Sequence, residues 1–192
     1  FAFGSKVCID ATEKTDAHIL VDARSIIIDT PVLQQKFPAI SGINTQLLKA
    51  GFSVIAVGVK KTLPAQIETL HKQLVLEEGV NQVKFIIYVD DVVELSDFGV
   101  VTWNTANNID PRRDMILSPA GKYGISHCDG TRKTKKLDNF QRDWPNVIAM
   151  DAGIIETIDR KWEVLGLGKF LPSPSLKYVG QVMNKGAVVI EN

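Results

Sequence analysis

"FSVIAVGVKKTLPAQIETLHKQLVLEEGVNQVKFIIYVDD", residues 52–91, holds two short apolar runs with a helical pattern between them, and that order decides the fold. Residues 52–59 are almost continuously apolar and β-branched, which predicts a strand covered on both faces. Residues 83–91 repeat the pattern and stop at two acids. Between them Leu63, Ile67, Leu70 and Leu74 recur three and four apart, with Pro64 in the first turn and Gly79 past the last, the marks of an amphipathic helix. A crossover of this length between buried strands implies parallel pairing with a right-handed connection.

The pattern extends downstream. Ser96 or Asp97 is placed to cap a helix that carries Phe98, Val101 and Thr105 on one face and ends at Asn107, Asn108 and Pro111. "DMILS", residues 114–118, supplies a further short strand, so the core reads βαβαβ: an α/β fold with a mostly parallel sheet and flanking helices. Residues 119–146 have neither period and read as one long loop. A helix over 151–165 follows, capped by Asp151, with Ile154, Ile155, Ile158, Trp162 and Leu165 on one face and Gly166 at its end. Upstream, β-like runs occupy 19–21 and 26–28, and "SGINTQLLKAG" has room for one helical turn. "GSKVCIDATEK" at 4–14 and "GKYGISHCDGTRK" at 121–133 echo each other over a stretch too short to make a structural repeat. Residues 1–168 are expected to form a single α/β domain, and 169–192 a Pro- and Ser-rich arm that either packs or hangs as a tail.

Composition narrows the function classes. With 192 residues and 45% hydrophobic content the chain can bury a core, and 22 basic against 22 acidic residues leave no global field for nucleic acid. No apolar run reaches membrane-spanning length. Cys8 and Cys128 suit neither a disulfide framework nor a zinc site, which points to a reducing cytoplasm. The chain opens on Phe1 without a signal segment, so we expect a piece of a longer polypeptide.

Four constellations carry possible chemistry. Asp90, Asp91, Glu94 and Asp97 follow a parallel strand, where open sheets bind ligands, and could hold a metal, although acids at such positions more often satisfy backbone amides and the helix dipole. Lys60, Lys61, Lys122, Arg132 and Lys133, with Lys135 and Lys136, could gather into an anion site if the loop folds back over the sheet edge; solvated loop charge is the simpler account. His18, His71 and His127 lack a partner at triad spacing; His71 borders its helix's apolar stripe, and His127 falls in the long loop. Trp103, Trp144 and Trp162 read as core or interface anchors, and no phosphate-binding glycine loop is present.

"FPAISGINTQLLKAGFSVIAVGVKKTLPAQ", "VKFIIYVDDVVELSDFGVVTWNTANNIDPRRD", the Gly-Ser-Lys…Ile-Asp-Ala-Thr-x-Lys motif at Gly4–Lys14 with its looser form at Lys122–Lys133, and Arg142-Asp143-Trp144-Pro145 before the last helix together resemble the C-terminal part of the UbiD family of decarboxylases, over roughly residues 37–168. The resemblance implies a reversible carboxy-lyase for aromatic or α,β-unsaturated acids that works with prenylated FMN and a divalent metal; the family's prototype acts on a polyprenylated 4-hydroxybenzoate in ubiquinone synthesis. It also implies that the Glu-Arg-Glu catalytic set and the cofactor and metal ligands belong to an upstream flavin-binding domain of the same chain, so no catalytic, cofactor or metal residue is assigned here. What remains for this part is closure of the substrate pocket, with Lys60, Lys61, Lys122, Arg132 and Lys133 as candidates, and homo-oligomer contacts through the last helix at Ile155, Ile158 and Trp162. Two departures stand out: Asn108 replaces an Arg the family usually carries, and the clean Gly-Ser-Lys motif precedes rather than follows the Asp-Pro-x-x-Asp element. Two other readings stay open: a non-catalytic α/β interaction or regulatory module, and an independent enzyme using the acids from Asp90 to Asp97.

Overall fold

Burial runs almost unbroken along the central strands, as a sheet covered on both faces requires. The computed structural model describes residues 22–117 and 124–190, which divide into two compact units at Lys133/Thr134. The first unit runs from a 3-10 turn at Ala23–Ser25 through α1 (Thr30–Lys36), β1 (Ile40–Asn44), α2 (Gln46–Lys49), β2 (Val54–Val59), α3 (Gln66–Leu74), β3 (Phe85–Asp90), α4 (Phe98–Asn108), α5 (Pro111–Asp114) and β4 (Met115–Ile116) to β5 (Ser126–Asp129). The sheet order is β1-β2-β3-β5-β4. β2, β3 and β5 are parallel, and antiparallel β1 and β4 close the edges.

The βαβαβ core is therefore β2-α3-β3-α4-β5. Ile55, Val57 and Val59 of β2 and Ile86 and Tyr88 of β3 share a core with Ile67, Leu70 and Leu74 of α3 and with Leu33, Phe37 and Leu48 from the front of the chain. Val89 points to the opposite face, where α4 packs on β3 and buries Val100 and Val101. Each such aliphatic side chain, taken fully out of water, contributes roughly 1.5–3 kcal/mol. Gly79 is required by geometry: it sits at φ +78, and an added Cβ would lie 2.1 Å from the Ile27 carbonyl oxygen.

Several expectations need correction. The third parallel strand is Ser126–Asp129, inside the stretch expected to be loop, whereas "DMILS" contributes only the two residues of β4, antiparallel to β5. Residues 26–28 form no strand, while α1 and β1 occupy a region that carried little signal; the helical turn in "SGINTQLLKAG" is α2. α3 starts later than its pattern suggested, because Ala65 adopts φ 51 and the Gln66 side chain takes the amides of Thr62 and Leu63, leaving Leu63 exposed. Asp97, rather than Ser96, caps α4, and the buried face of that helix is Val100, Val101 and Asn104 rather than Phe98 and Thr105.

The second unit contains α6 (Lys135–Asp138), α7 (Ala152–Lys161) and a 3-10 stretch at Pro174–Gln181. Asp151 caps α7 through the amides of Gly153 and Ile154. The arm after residue 169 packs within this unit. Asn146 is buried, donates from Nδ2 to the carbonyls of Asn184 (2.7 Å) and Gly186 (2.9 Å), and accepts from the Met183 amide (3.1 Å), while Pro145 and Val188 form an antiparallel bridge. The Trp-Pro loop is thus a clasp for the tail. Gly4–Lys14, Cys8, His18, the β-like run at 19–21 and Lys122 lie outside the described residues. Among the described residues no helix is long and apolar enough to cross a membrane.

Candidate functional site

Three parallel strands end side by side, which brings Lys60 and Lys61 after β2, Asp90 at the end of β3 and Asp129 at the end of β5 to one edge of the sheet. The chain then turns at Gly130, whose amide donates to the Tyr88 carbonyl (2.8 Å); a Cβ there would sit 2.9 Å from that oxygen and 3.1 Å from Thr105 Oγ1. Only glycine allows so close an approach.

From that turn a polar chain forms. Asp129 Oδ1 accepts from the Thr131 amide and hydroxyl, and Thr131 Oγ1 accepts in turn from Lys61 Nζ at 2.9 Å. Lys61 Nζ also donates to the Arg132 carbonyl (2.6 Å), and the Arg132 amide donates to Asp90 Oδ2 (2.9 Å). Lys133, 3% exposed, turns back to donate to the carbonyls of Asp129 (2.8 Å) and Thr131 (2.6 Å) and pairs with Asp129 at 3.3 Å and Asp114 at 3.7 Å. Arg113 grips Asp114 by two bonds of 2.7 and 2.6 Å. Asn108 donates to the Gly130 carbonyl (2.9 Å), so a neutral amide ties the end of α4 to this turn.

Burial dominates the electrostatics. It raises the Asp90 carboxyl pKa, opposed by the Arg132 amide and by the charges of Arg132, Lys61 and Lys133. It lowers Lys133, opposed by Asp129 and Asp114. The Cys128 thiol is pushed up to about 12, chiefly by burial, so it stays protonated at neutral pH and is no nucleophile.

The cation candidates therefore separate. Lys61, Arg132 and Lys133 converge, with Lys61 and Lys133 bonded inward, whereas Lys60 faces solvent. Arg132 differs from both lysines: its Nε is shielded from solvent and has no hydrogen-bond partner. The acids do local work: Asp97 caps α4, Glu94 accepts from the amide and hydroxyl of Ser96, and Asp90 takes the Arg132 amide. Among the described residues no three His, Cys, Asp or Glu side chains are placed to hold a metal. Asp114, Asp129 and Thr131 were missed by sequence reasoning, although the Asp-x-Thr-x-Lys spacing at 129–133 marks the last two.

His127 lies on β5, not in a loop, and stacks on His71 with ring centroids 3.8 Å apart; the rings are 4% and 8% exposed. His71 Nε2 faces the Ile125 carbonyl (3.3 Å) and so carries the proton, which leaves Nδ1 to accept from the Tyr88 hydroxyl (3.0 Å). Burial, and then the neighbouring His71, lower His127 to about 4.

In the second unit Ile155 is buried, Ile154 and Ile158 are exposed, and Trp162 packs edge-on against Phe170 while its Nε1 donates to the Gly168 carbonyl (3.0 Å). Trp144 meets Phe140 in the same edge-on manner, and Trp103 on α4 is exposed.

Comparison with known proteins fits this geometry. Residues 23–135 match the 3-octaprenyl-4-hydroxybenzoate carboxy-lyase C-terminal domain. An uncharacterized protein of Archaeoglobus fulgidus is 28% identical over 148 residues, covering 69% of this chain and 30% of the relative, and one of Aquifex aeolicus is 29% identical over 123 residues, covering 58% and 25%. Vanillic acid decarboxylase of Sedimentibacter hydroxybenzoicus is similar in fold: its open form with truncated ShVdcD aligns at TM-score 0.54 and 16% identity over 70% of this chain and 31% of that one, and its closed form at 0.54 and 16% over 69% and 30%. The chain spans about a third or less of the length of these proteins. With the family's C-terminal domain matched over more than half of its residues, onto the sheet and strand-end cluster just described, the chain belongs to the UbiD family as that domain.

Proposed function

We propose that this chain is the C-terminal domain of a UbiD-like carboxy-lyase that reversibly decarboxylates an aromatic or α,β-unsaturated acid in the cytoplasm. The observation that carries the reading is the family match over 23–135. The described residues offer no metal-ligand set, and the lysines at the strand ends are spent on internal bonds. On this reading the reacting groups belong to an upstream flavin-binding domain, as the family resemblance implies. Prenylated FMN bound there, with its divalent metal, would supply the electron sink for decarboxylation.

The share of this domain is to close over the substrate. A body tied together at its sheet edge by Asp129, Thr131, Lys61 and Lys133 moves as a unit, and its closure excludes water from a charged reacting centre. That the Sedimentibacter enzyme has been solved in open and closed forms supports this role. A fluorophore at Lys60, placed by Lys60→Cys in the flavin-loaded full-length enzyme, tests it. Energy transfer between label and flavin should change on adding the acid substrate; an unchanged signal during turnover would refute closure.

Self-association with a second copy through α7 completes the proposal. Of the candidates Ile155, Ile158 and Trp162, Ile155 is buried and Trp162 packs on Phe170, so the stripe left open to solvent is Ile158, 41% exposed, with Ile154. Ile158→Asp should shift sedimentation toward the monomer, and a wild-type chain that sediments as a monomer at high concentration would refute the contact.

A further inference from the structure

We propose that Arg132 is the contact residue of a carboxylate-binding site at the C-terminal ends of β2, β3 and β5. A buried N–H without an acceptor is a standing cost, and Arg132 Nε is such a donor. Its backbone is fixed on both sides, by the amide bond to Asp90 and the carbonyl bond from Lys61, so the side chain starts from a rigid base. A guanidinium carries Nε–H and one Nη–H on a single edge, which matches the two oxygens of a planar carboxylate; rotating that edge outward onto an acid satisfies the orphan donor.

Charge selects the ligand class. At the strand ends Lys61, Arg132 and Lys133 face Asp90 and Asp129, which leaves one positive charge in excess there when those carboxyls are ionised, while Arg113 is taken up by Asp114 and Asp110. One monoanion neutralises it. A phosphate dianion would overshoot that balance. The site also lies where open parallel sheets bind ligands, beyond the carboxyl ends of their strands. This inference uses the proposed function only to say why an acid would be there; the binding itself does not depend on decarboxylation.

The test is a titration of the ¹⁵N-labelled 192-residue chain with sodium benzoate and, at equal ionic strength, with sodium phosphate, following the Arg132 Nε–Hε resonance. R132K identifies that resonance by its loss. Benzoate should move it saturably, phosphate should not, and R132K should bind benzoate about tenfold or more weakly, as read from the Asp90 and Thr131 amides. An Arg132 resonance that does not respond to benzoate overturns the site, and the wild-type peak decides this even if R132K fails to fold. Unchanged benzoate affinity in a folded R132K overturns the assignment to Arg132, and an equal phosphate response overturns the carboxylate class. A wild-type chain that shows no benzoate response while the full-length enzyme releases carbon dioxide sinks this site alone; benzoate binding in a full-length enzyme that releases none sinks the functional reading alone.

Discussion

Replacing Lys133 with Met keeps much of the side-chain volume and deletes a buried ammonium, which isolates what that charge does. The carbonyls of Asp129 and Thr131 lose donors at 2.8 and 2.6 Å, and Asp129 and Asp114 lose a cation at 3.3 and 3.7 Å in a pocket where Lys133 itself is 3% exposed. Breaking a buried pair from one side costs about 3–5 kcal/mol, because the partner charge is left uncompensated. Arg113 still holds Asp114, so Asp129 bears most of the loss. In a chain of this size the cost corresponds to about 6–20 °C in Tm. Trp144 and Trp162 lie in the second unit and would dominate fluorescence, so the better probe is hydrogen exchange at the β3 and β5 amides. Adding Asp129→Asn should recover part of the loss. A Lys133→Met chain within about 1 kcal/mol of wild type would refute the view that this cluster holds the sheet edge together.

Other perturbations follow from the same geometry. His127 falls from 6.5 to about 4 on folding, so the unfolded chain binds the extra proton between those values; stability is full above pH 6.5 and should drop by up to about 3 kcal/mol by pH 4. His127→Phe, tested by urea unfolding across that range, should reduce the slope, with His71, which burial also lowers, carrying part of what remains; an equal slope would refute the assignment. Gly130→Ala places a methyl 2.9 Å from the Tyr88 carbonyl oxygen and should cost about 1–3 kcal/mol in thermal unfolding. Asn146→Ala removes three hydrogen bonds that clasp the tail, so limited proteolysis should cut within 182–190 much faster than in wild type, with the exchange of β3 unchanged.

What could be read in advance follows from where the stabilising information sits. β2, α3, β3 and α4 announce themselves because each carries its own burial pattern, and Asp97 marks a real boundary, whereas α3 ends at Leu74 and Gly79 instead precedes the 3-10 turn Val80–Gln82. β5 does not: Ser126, His127, Cys128 and Asp129 hold no β-branched residue, and the segment is extended because β3 pairs with it on one side and β4 on the other. β1 is hidden for a related reason, since Gly42 and Asn44 interrupt any apolar alternation in an edge strand with a register shift. The site shows the same division. Lys61, Arg132 and Lys133 could be named as cations, but their meeting depends on the register of β2, β3 and β5, which no local pattern encodes. That two of the three serve internal bonds depends on how Thr131 and Asp129 fold back at Gly130.

The most direct test of the central claim is ¹³C-labelled carbon dioxide release from a carboxyl-labelled aromatic or unsaturated acid, measured for the 192-residue chain alone and for the full-length protein loaded with prenylated FMN. The account predicts release from the full-length protein and none from the chain alone. Release by the chain alone, or a full-length protein that binds no flavin, would contradict it.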